Sequence, residues 1–411
     1  MTESCTKEAS TAGGFPVEDA VAPQRPWAIY LMFGLYGAQQ GMLGPAMPFV
    51  RTELGLDLRA TGLHFAAYAL GLALIGFPYR WFSVRRLPTG IGQIAILTVV
   101  AASSVLALSH ALPVTLLAAA MMGLSGGLVM ATGQAKLGAR YRERAAAKLV
   151  EAHIVAGLCV LGGALLIGGA TSIGLSWRAA PVAVAITATL LAAIPISTYR
   201  RDETALHVGD APPDTHGAGE RLSRVLQLSL WALVILGISA EWGVGFWGAE
   251  YMKETVTRSA STAATLMSVY FGGTVCGRVA SSYLLRTVRP LTLLVVVTLG
   301  AIATFGALHL TRDVVVAATL VALLGACLGN LFPLILGTAM RAAPDAGPAL
   351  SAQASQAVGV ALLIAPFLLG MLSERVGMQS AFATLIVHPV LMLPIMFGLV
   401  GFSFARRTKQ R

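Results

Sequence analysis

The chain has 411 residues, 56% hydrophobic and only 12% charged, whereas soluble domains carry about 25% charge; an all-aqueous fold is therefore excluded. A mean hydropathy of +0.74 makes lipid the second solvent, and 44 glycines suit helices that pack backbone to backbone within it. The net charge of +10 would suggest a nucleic-acid partner in a soluble protein, but here the placement of Lys and Arg accounts for it.

Residues 1–26 are polar and mildly acidic, with Glu3, Glu8, Glu18 and Asp19. They lack the basic stretch and apolar run of a signal peptide and are expected to form a disordered cytoplasmic tail. A spanning helix needs about 20 apolar residues. The first half offers six such stretches, at 27–50, 61–82, 90–109, 113–135, 148–171 and 177–199. Residues 200–224 follow, with Asp-Ala-Pro-Pro-Asp at 210–214, and read as a flexible cytoplasmic linker. The second half offers 225–250, 262–284, 291–309, 314–338, 350–373 and 380–404, before a basic cytoplasmic tail at 405–411. The expected architecture is all-α and integral to the membrane, with six-helix bundles at 27–199 and 225–404.

With the N-terminus inside, all but seven of the 29 Lys and Arg fall on the cytoplasmic side. The seven are Arg51, Arg59, Arg178, Lys253, Arg258, Arg312 and Arg375. This asymmetry predicts an even span count, both termini cytoplasmic and a multi-pass place in the cell (inner) membrane. It also removes the need for nucleic acid. Cys159, Cys276 and Cys327 lie in apolar runs, Cys5 lies in the tail, and none has metal-ligand spacing.

An offset of 202 residues superimposes the halves. Tyr68 falls on Tyr270, Gly71 on Gly273, Gly41 on Gly243 and Arg51 on Lys253. Gly123, Gly127 and Gly157 fall on Gly325, Gly329 and Gly359. Parallel duplication of a six-helix unit implies a transporter with its site near the midplane between the halves.

The loop after the second span reads Gly76-Phe-Pro-Tyr-Arg80-Trp81-Phe-Ser83-Val-Arg85-Arg86. It resembles the major facilitator superfamily pattern Gly-x3-Asp-Arg/Lys-x-Gly-x-Arg/Lys-Arg/Lys. Gly76, Arg85 and Arg86 are in register, while Arg80 stands at the Asp position and Ser83 at the second Gly. The resemblance covers nearly all of 27–404 and implies two parallel six-helix repeats around a central site. It places Arg80, Arg85 and Arg86 at a cytoplasmic gate that lacks the usual carboxylate. Gly277-Arg278 and Trp177-Arg178 are also similar to superfamily pairs. Gly162-Gly163 and Gly168-Gly169 resemble its antiporter motif without that motif's Pro. The stretch 240–250 resembles the seventh helix of sugar:proton symporters.

Ionisable residues inside spans are functional candidates because they are costly to bury. Glu241 lies about sixteen residues into the seventh span; there a carboxylate suits binding and release of a coupling proton, or of a cationic solute. The alternative is a Glu hydrogen-bonded to a neighbouring helix. Its repeat partner is Gln39, followed by Gln40, with Tyr36 one turn away; these are candidate cavity residues or interhelical packing contacts. Trp242, Tyr68, Tyr270 and Asn330 complete the candidate cavity, the Trp to stack on a sugar or cation, each with packing as the alternative. Trp247 is either a cavity residue or an interfacial anchor.

Glu151, His153, Gln353 and Gln356 are candidates for closing the cytoplasmic gate with Arg278. The alternative for Glu151 is a pairing with Lys148 or Arg144 at the headgroups. His388 reads as packing. There is no midplane pair of arginines, which disfavours phosphate or nitrate. There is no His-Glu-x-x-His, paired intramembrane carboxylates or phosphate loop, which argues against an enzyme, a metal site or direct ATP use. The expectation is a monomer in lipid that moves a small neutral or cationic organic solute with a proton and no other cofactor, preferentially outward. Sugar uptake by symport and a ligand sensor that moves nothing are the alternatives.

Overall fold

The computed structural model describes residues 26–81, 91–141, 145–193, 224–343 and 346–409. The predicted tail, apart from Pro26, and the predicted linker, apart from Arg224, lie outside them, as do Arg85, Arg86 and Arg144.

The first half comprises α1 (Trp27–Leu54), α2 (Leu58–Trp81), α3 (Ile91–Leu108), α4 (Leu112–Tyr141), α5 (Ala145–Ser172) and α6 (Ala179–Ala192). The second comprises α7 (Arg224–Met252) with a π-helical turn at Lys253–Thr257, then α8 (Ala260–Leu284) and α9 (Pro290–Leu310). It continues with α10 (Val314–Leu328), α11 (Leu331–Ala342), α12 (Gly347–Val376), α13 (Met378–Ala383) and α14 (Val387–Lys409). Nine stretches among the described residues are long and apolar enough to cross a membrane, with α10–α11 and α13–α14 each counting as one. Helices α1, α6 and α8 complete twelve passes. Leu70, Leu74, Leu97, Leu117 and Leu158 are exposed on outer faces, where lipid rather than water meets them.

Local sequence sets the boundaries. Gly55 ends α1 in the left-handed conformation at φ 61°, which costs glycine little. Ser259 caps α8 by accepting from Thr262 N, and Asp313 caps α10 by accepting from Val315 N and Val316 N. The tenth and twelfth spans, expected as single helices, are broken. Pro333 has no N–H to give the Gly329 carbonyl four residues earlier, and the helix stops at Gly329-Asn330 and restarts. Pro389 does the same for Leu385, and a 3-10 turn at Thr384–Ile386 precedes α14.

The two halves repeat one packing scheme. α1 packs on α5, α2 on α4, and α3 on α4 and α6; correspondingly α7 packs on α12, α8 on α10, and α9 on α10 and α14. The 202-residue offset holds atom by atom where α2 crosses α4 and α8 crosses α10. A Cβ on Gly71 would meet the Ala120 carbonyl and one on Gly273 the Ala322 carbonyl; one on Gly123 would meet Tyr68 O and one on Gly325 Tyr270 O. Small residues admit these backbone contacts where lipid gives no hydrophobic drive for association. Between halves, α5 packs on α8, α2 on α12 and α1 on α7.

Candidate functional site

α7 is buried almost throughout its second half, and Glu241 is 6% exposed there. Its Oε1 lies 3.3 Å from Arg278 Nη2 on α8. The guanidinium also donates from Nε to the Gly329 carbonyl at 3.0 Å. That is the acceptor which Pro333 leaves without a helical donor, so the break between α10 and α11 positions the arginine. Tyr270 donates to the backbone carbonyl of Glu241 at 2.8 Å, tying α8 to α7 at the same level. The Arg278 side chain is 47% exposed while that of Glu241 is 8% exposed. A buried carboxylate therefore meets the accessible space through its arginine.

Glu241 thus pairs within the second half and not with its repeat partner Gln39. Gln39 is fully buried in the first half. Its Nε2 donates to Val99 O at 3.1 Å and Ser103 Oγ at 2.8 Å, and its Oε1 accepts from Ser125 Oγ at 2.7 Å. The amide is occupied joining α1 to α3 and α4, the packing alternative of the sequence reading. Gln40 is buried beside it. Tyr36 and Tyr68 place their hydroxyls 3.4 Å apart. Asn330 donates to Ala326 O at the α10–α11 break.

What remains beside Glu241 is aromatic. Trp242 lies 5.2 Å from Phe246 and 6.4 Å from Phe271, centroid to centroid. Trp247 is no interfacial anchor: it is fully buried and donates from Nε1 to the Pro366 carbonyl of α12 at 2.8 Å, against Gly62 and Gly370.

The candidate gate residues are dispersed. Glu151 accepts from Tyr30 at 2.6 Å and from Lys148 at 2.9 Å, all within the first half. His153 turns Nδ1 to Leu149 O, and its ring meets Phe33 edge-on at 5.3 Å. Gln353 is half-buried and Gln356 exposed on α12. Arg80 lies in α2, while Arg85 and Arg86 lie outside the described residues. His388 turns Nδ1 to the Leu385 carbonyl that Pro389 frees.

At the end of the bundle carrying the α1–α2 loop, the halves are held together by charges that received no role from the sequence. Arg51 Nε lies 3.0 Å from Glu250 Oε1 and Arg51 Nη2 3.1 Å from Glu254 Oε1. Lys253 Nζ lies 3.1 Å from Thr52 Oγ1, 3.4 Å from Pro48 O and 3.9 Å from Glu250 Oε1. On the α2–α12 seam, Glu374 accepts the free N–H of Leu58 at 2.9 Å, a carboxylate at a helix N-terminus. On the α5–α8 seam, Ser261 donates to Gly168 O at 3.0 Å. The repeat pairing of Arg51 with Lys253 was the signal available in the sequence. The carboxylates they reach were visible only as letters in α7.

The model of the Major Facilitator Superfamily matches residues 29–356. No curated protein matches the sequence. Among solved structures, the chain is similar to a bacterial homolog of the human lysosomal transporter Spinster, in an inward-facing and occupied conformation. That likeness has a TM-score of 0.70 at 16% identity and covers 90% of this chain and 95% of the other. The same protein in its unoccupied inward-facing conformation gives the same values. A mutant of the nucleoside transporter NupG aligns with a TM-score of 0.68 at 10% identity, covering 91% of this chain and 99% of that one. At these identities the likeness is one of fold.

Proposed function

The chain belongs to the Major Facilitator Superfamily, and we propose that it is a proton-coupled secondary transporter of a small cationic or neutral organic solute, working outward by alternating access. The observation that carries this reading is the Glu241–Arg278 pair. Its carboxylate is buried on α7, and its only ion-pair partner among the described residues is a half-exposed arginine. An ionised Glu241 holds Arg278. A proton or a cationic solute neutralises the carboxylate and releases the guanidinium, which keeps its bond to Gly329. The two occupants compete for one charge, as exchange of a proton for a cation requires.

The aromatic wall of Trp242, Phe246 and Phe271 supports an organic cation or flat amphipath, since aromatic faces attract cations. Gln39, Tyr270 and Asn330 are committed to packing, which leaves few polar groups for a sugar and favours export over the sugar symport alternative. The loop-1 end, closed by Arg51, Lys253 and Glu374, is read as the outer gate, with both termini cytoplasmic.

The test is a thermal-shift screen of the purified chain against organic cations and sugars, followed by flux of the stabilising compound in proteoliposomes under an imposed pH gradient. Gradient-driven flux of an organic cation is expected. Stabilisation without flux would instead support the sensor.

A further inference from the structure

Repeat-equivalent residues build the closure between α1 and α7, and it is asymmetric at one position. Arg51 and Lys253 are equivalent under the 202-residue offset, as are Pro48 and Glu250. Each basic residue reaches the other half's 48/250 position: Lys253 to the Pro48 carbonyl, Arg51 to the Glu250 carboxylate. One arm of the crossed pair therefore ends on a carbonyl that cannot titrate. The other ends on a group that can.

Glu250 is 1% exposed, and neither of its oxygens accepts an aligned hydrogen bond among the described residues. Arg51 holds it at ion-pair distance only. The charges acting on it are Arg51 from α1 and Lys253 and Glu254 from the π-turn. Arg312, before α10, acts on the adjacent Tyr251. Residues 260–269 of α8 and all of α13 carry no titratable side chain. Glu374 of α12 is engaged by Leu58 N, and His388 of α14 faces Leu385 O.

We propose that Glu250 is a second proton-binding site, ionised while the loop-1 end is closed on Arg51 and protonated when that end opens. The site is separate from Glu241 and rests on the reading of the chain as an alternating-access transporter. Opening draws α1 from α7 and takes Arg51 away, leaving the carboxylate with Lys253 and the like-charged Glu254 of the π-turn. The proton therefore binds more tightly in the open state. By reciprocity, a proton on Glu250 favours opening, because Arg51 is then held across the seam by Glu254 alone. When the end closes again, the Lys253–Pro48 arm can re-form whether or not Glu250 carries a proton.

The experiment places nitroxide labels at Arg59→Cys and Arg312→Cys, both exposed at this end in opposite halves, in full-length chain lacking its native cysteines. Distances are read by pulsed electron resonance in lipid nanodiscs. Acidifying the wild-type background is expected to raise the long-distance population about fivefold or more. Glu250→Gln should show that population already in alkaline buffer and lose the pH response, while Glu250→Asp should keep it. A wild-type response in Glu250→Gln overturns the proposal. So does the absence of any pH response in the parent. Glu241→Gln is expected to retain the distance response; if that variant loses it while Glu250→Gln does not, the Glu250 site falls and Glu241 stands.

Discussion

Arg51 of α1 and Lys253 of the turn after α7 cross over each other, each bonded at the other half's equivalent position. Arg51 reaches Glu250 at 3.0 Å, and Lys253 reaches Pro48 O at 3.4 Å and Thr52 Oγ1 at 3.1 Å. The two arms differ in kind, so their removal should differ. Arg51→Met leaves a buried carboxylate without its cross-half cation, a loss of roughly 3–5 kcal/mol for a fully buried pair. Arg51 is 25% exposed, so the cost should be lower. Lys253→Met removes cross-half contacts to two neutral acceptors, worth about 1 kcal/mol, and a longer 3.9 Å approach to Glu250 within its own half. Labelling rates of a cysteine at Gly62, under the closed end, should rise more for Arg51→Met than for Lys253→Met. Equal rates would show that Glu250 contributes nothing to closure.

Gln39 separates packing from substrate contact. Gln39→Leu leaves Val99 O, Ser103 and Ser125 without their shared partner, a cost of about 1–3 kcal/mol. Thermal unfolding of the purified chain should fall accordingly, while the affinity for any transported solute stays within about twofold, as for a group remote from the ligand. A large affinity loss with unchanged melting would return Gln39 to the cavity.

The crossings of α2 with α4 and of α8 with α10 should tolerate no side chain. Gly123→Ala and Gly325→Ala each drive a methyl into a tyrosine carbonyl, at Tyr68 and Tyr270. Overpacking of this kind costs about 1–3 kcal/mol or more. Gly162→Ala and Gly359→Ala meet nothing within 4 Å and should be neutral or stabilising by about 0.5–1 kcal/mol. Melting temperatures of the four variants decide this; a uniform response would remove the close-packing account.

The number and order of spans were legible in hydropathy, because lipid imposes length and apolarity on every crossing. The glycine matches at 71/273 and 123/325 were also legible as spacing, and the close crossings are their physical counterpart. The breaks at 329–330 and 384–386 were not read, although Pro333 and Pro389 signalled them, because a hydropathy window averages over a missing hydrogen bond. Pairings across helices, such as Gln39 with Ser125 or Glu241 with Arg278, depend on rotation about each helix axis, which no window records. Arg278 was expected at a gate and Glu241 in a cavity; the freed Gly329 carbonyl holds the arginine where it reaches the carboxylate.

That dependence gives a fourth prediction. Pro333→Ala restores an N–H for the Gly329 carbonyl and so competes with Arg278 Nε. Arg278 should then hold Glu241 less firmly, and hydrogen exchange at the α10–α11 break should slow as the helix becomes continuous. Unchanged exchange would show that the break has another cause.

The central claim is that Glu241 takes up a proton and lets go of Arg278. Infrared difference spectroscopy of the purified chain in nanodiscs during acidification measures this without knowledge of the solute, through the carbonyl stretch of a protonated carboxylic acid. In a Glu250→Gln background, which removes the second titrating carboxylate, the account predicts a band that is lost when Glu241→Gln is added and retained, at shifted frequency, when Arg278→Lys is added. A band of undiminished intensity once Glu241→Gln is added would contradict it.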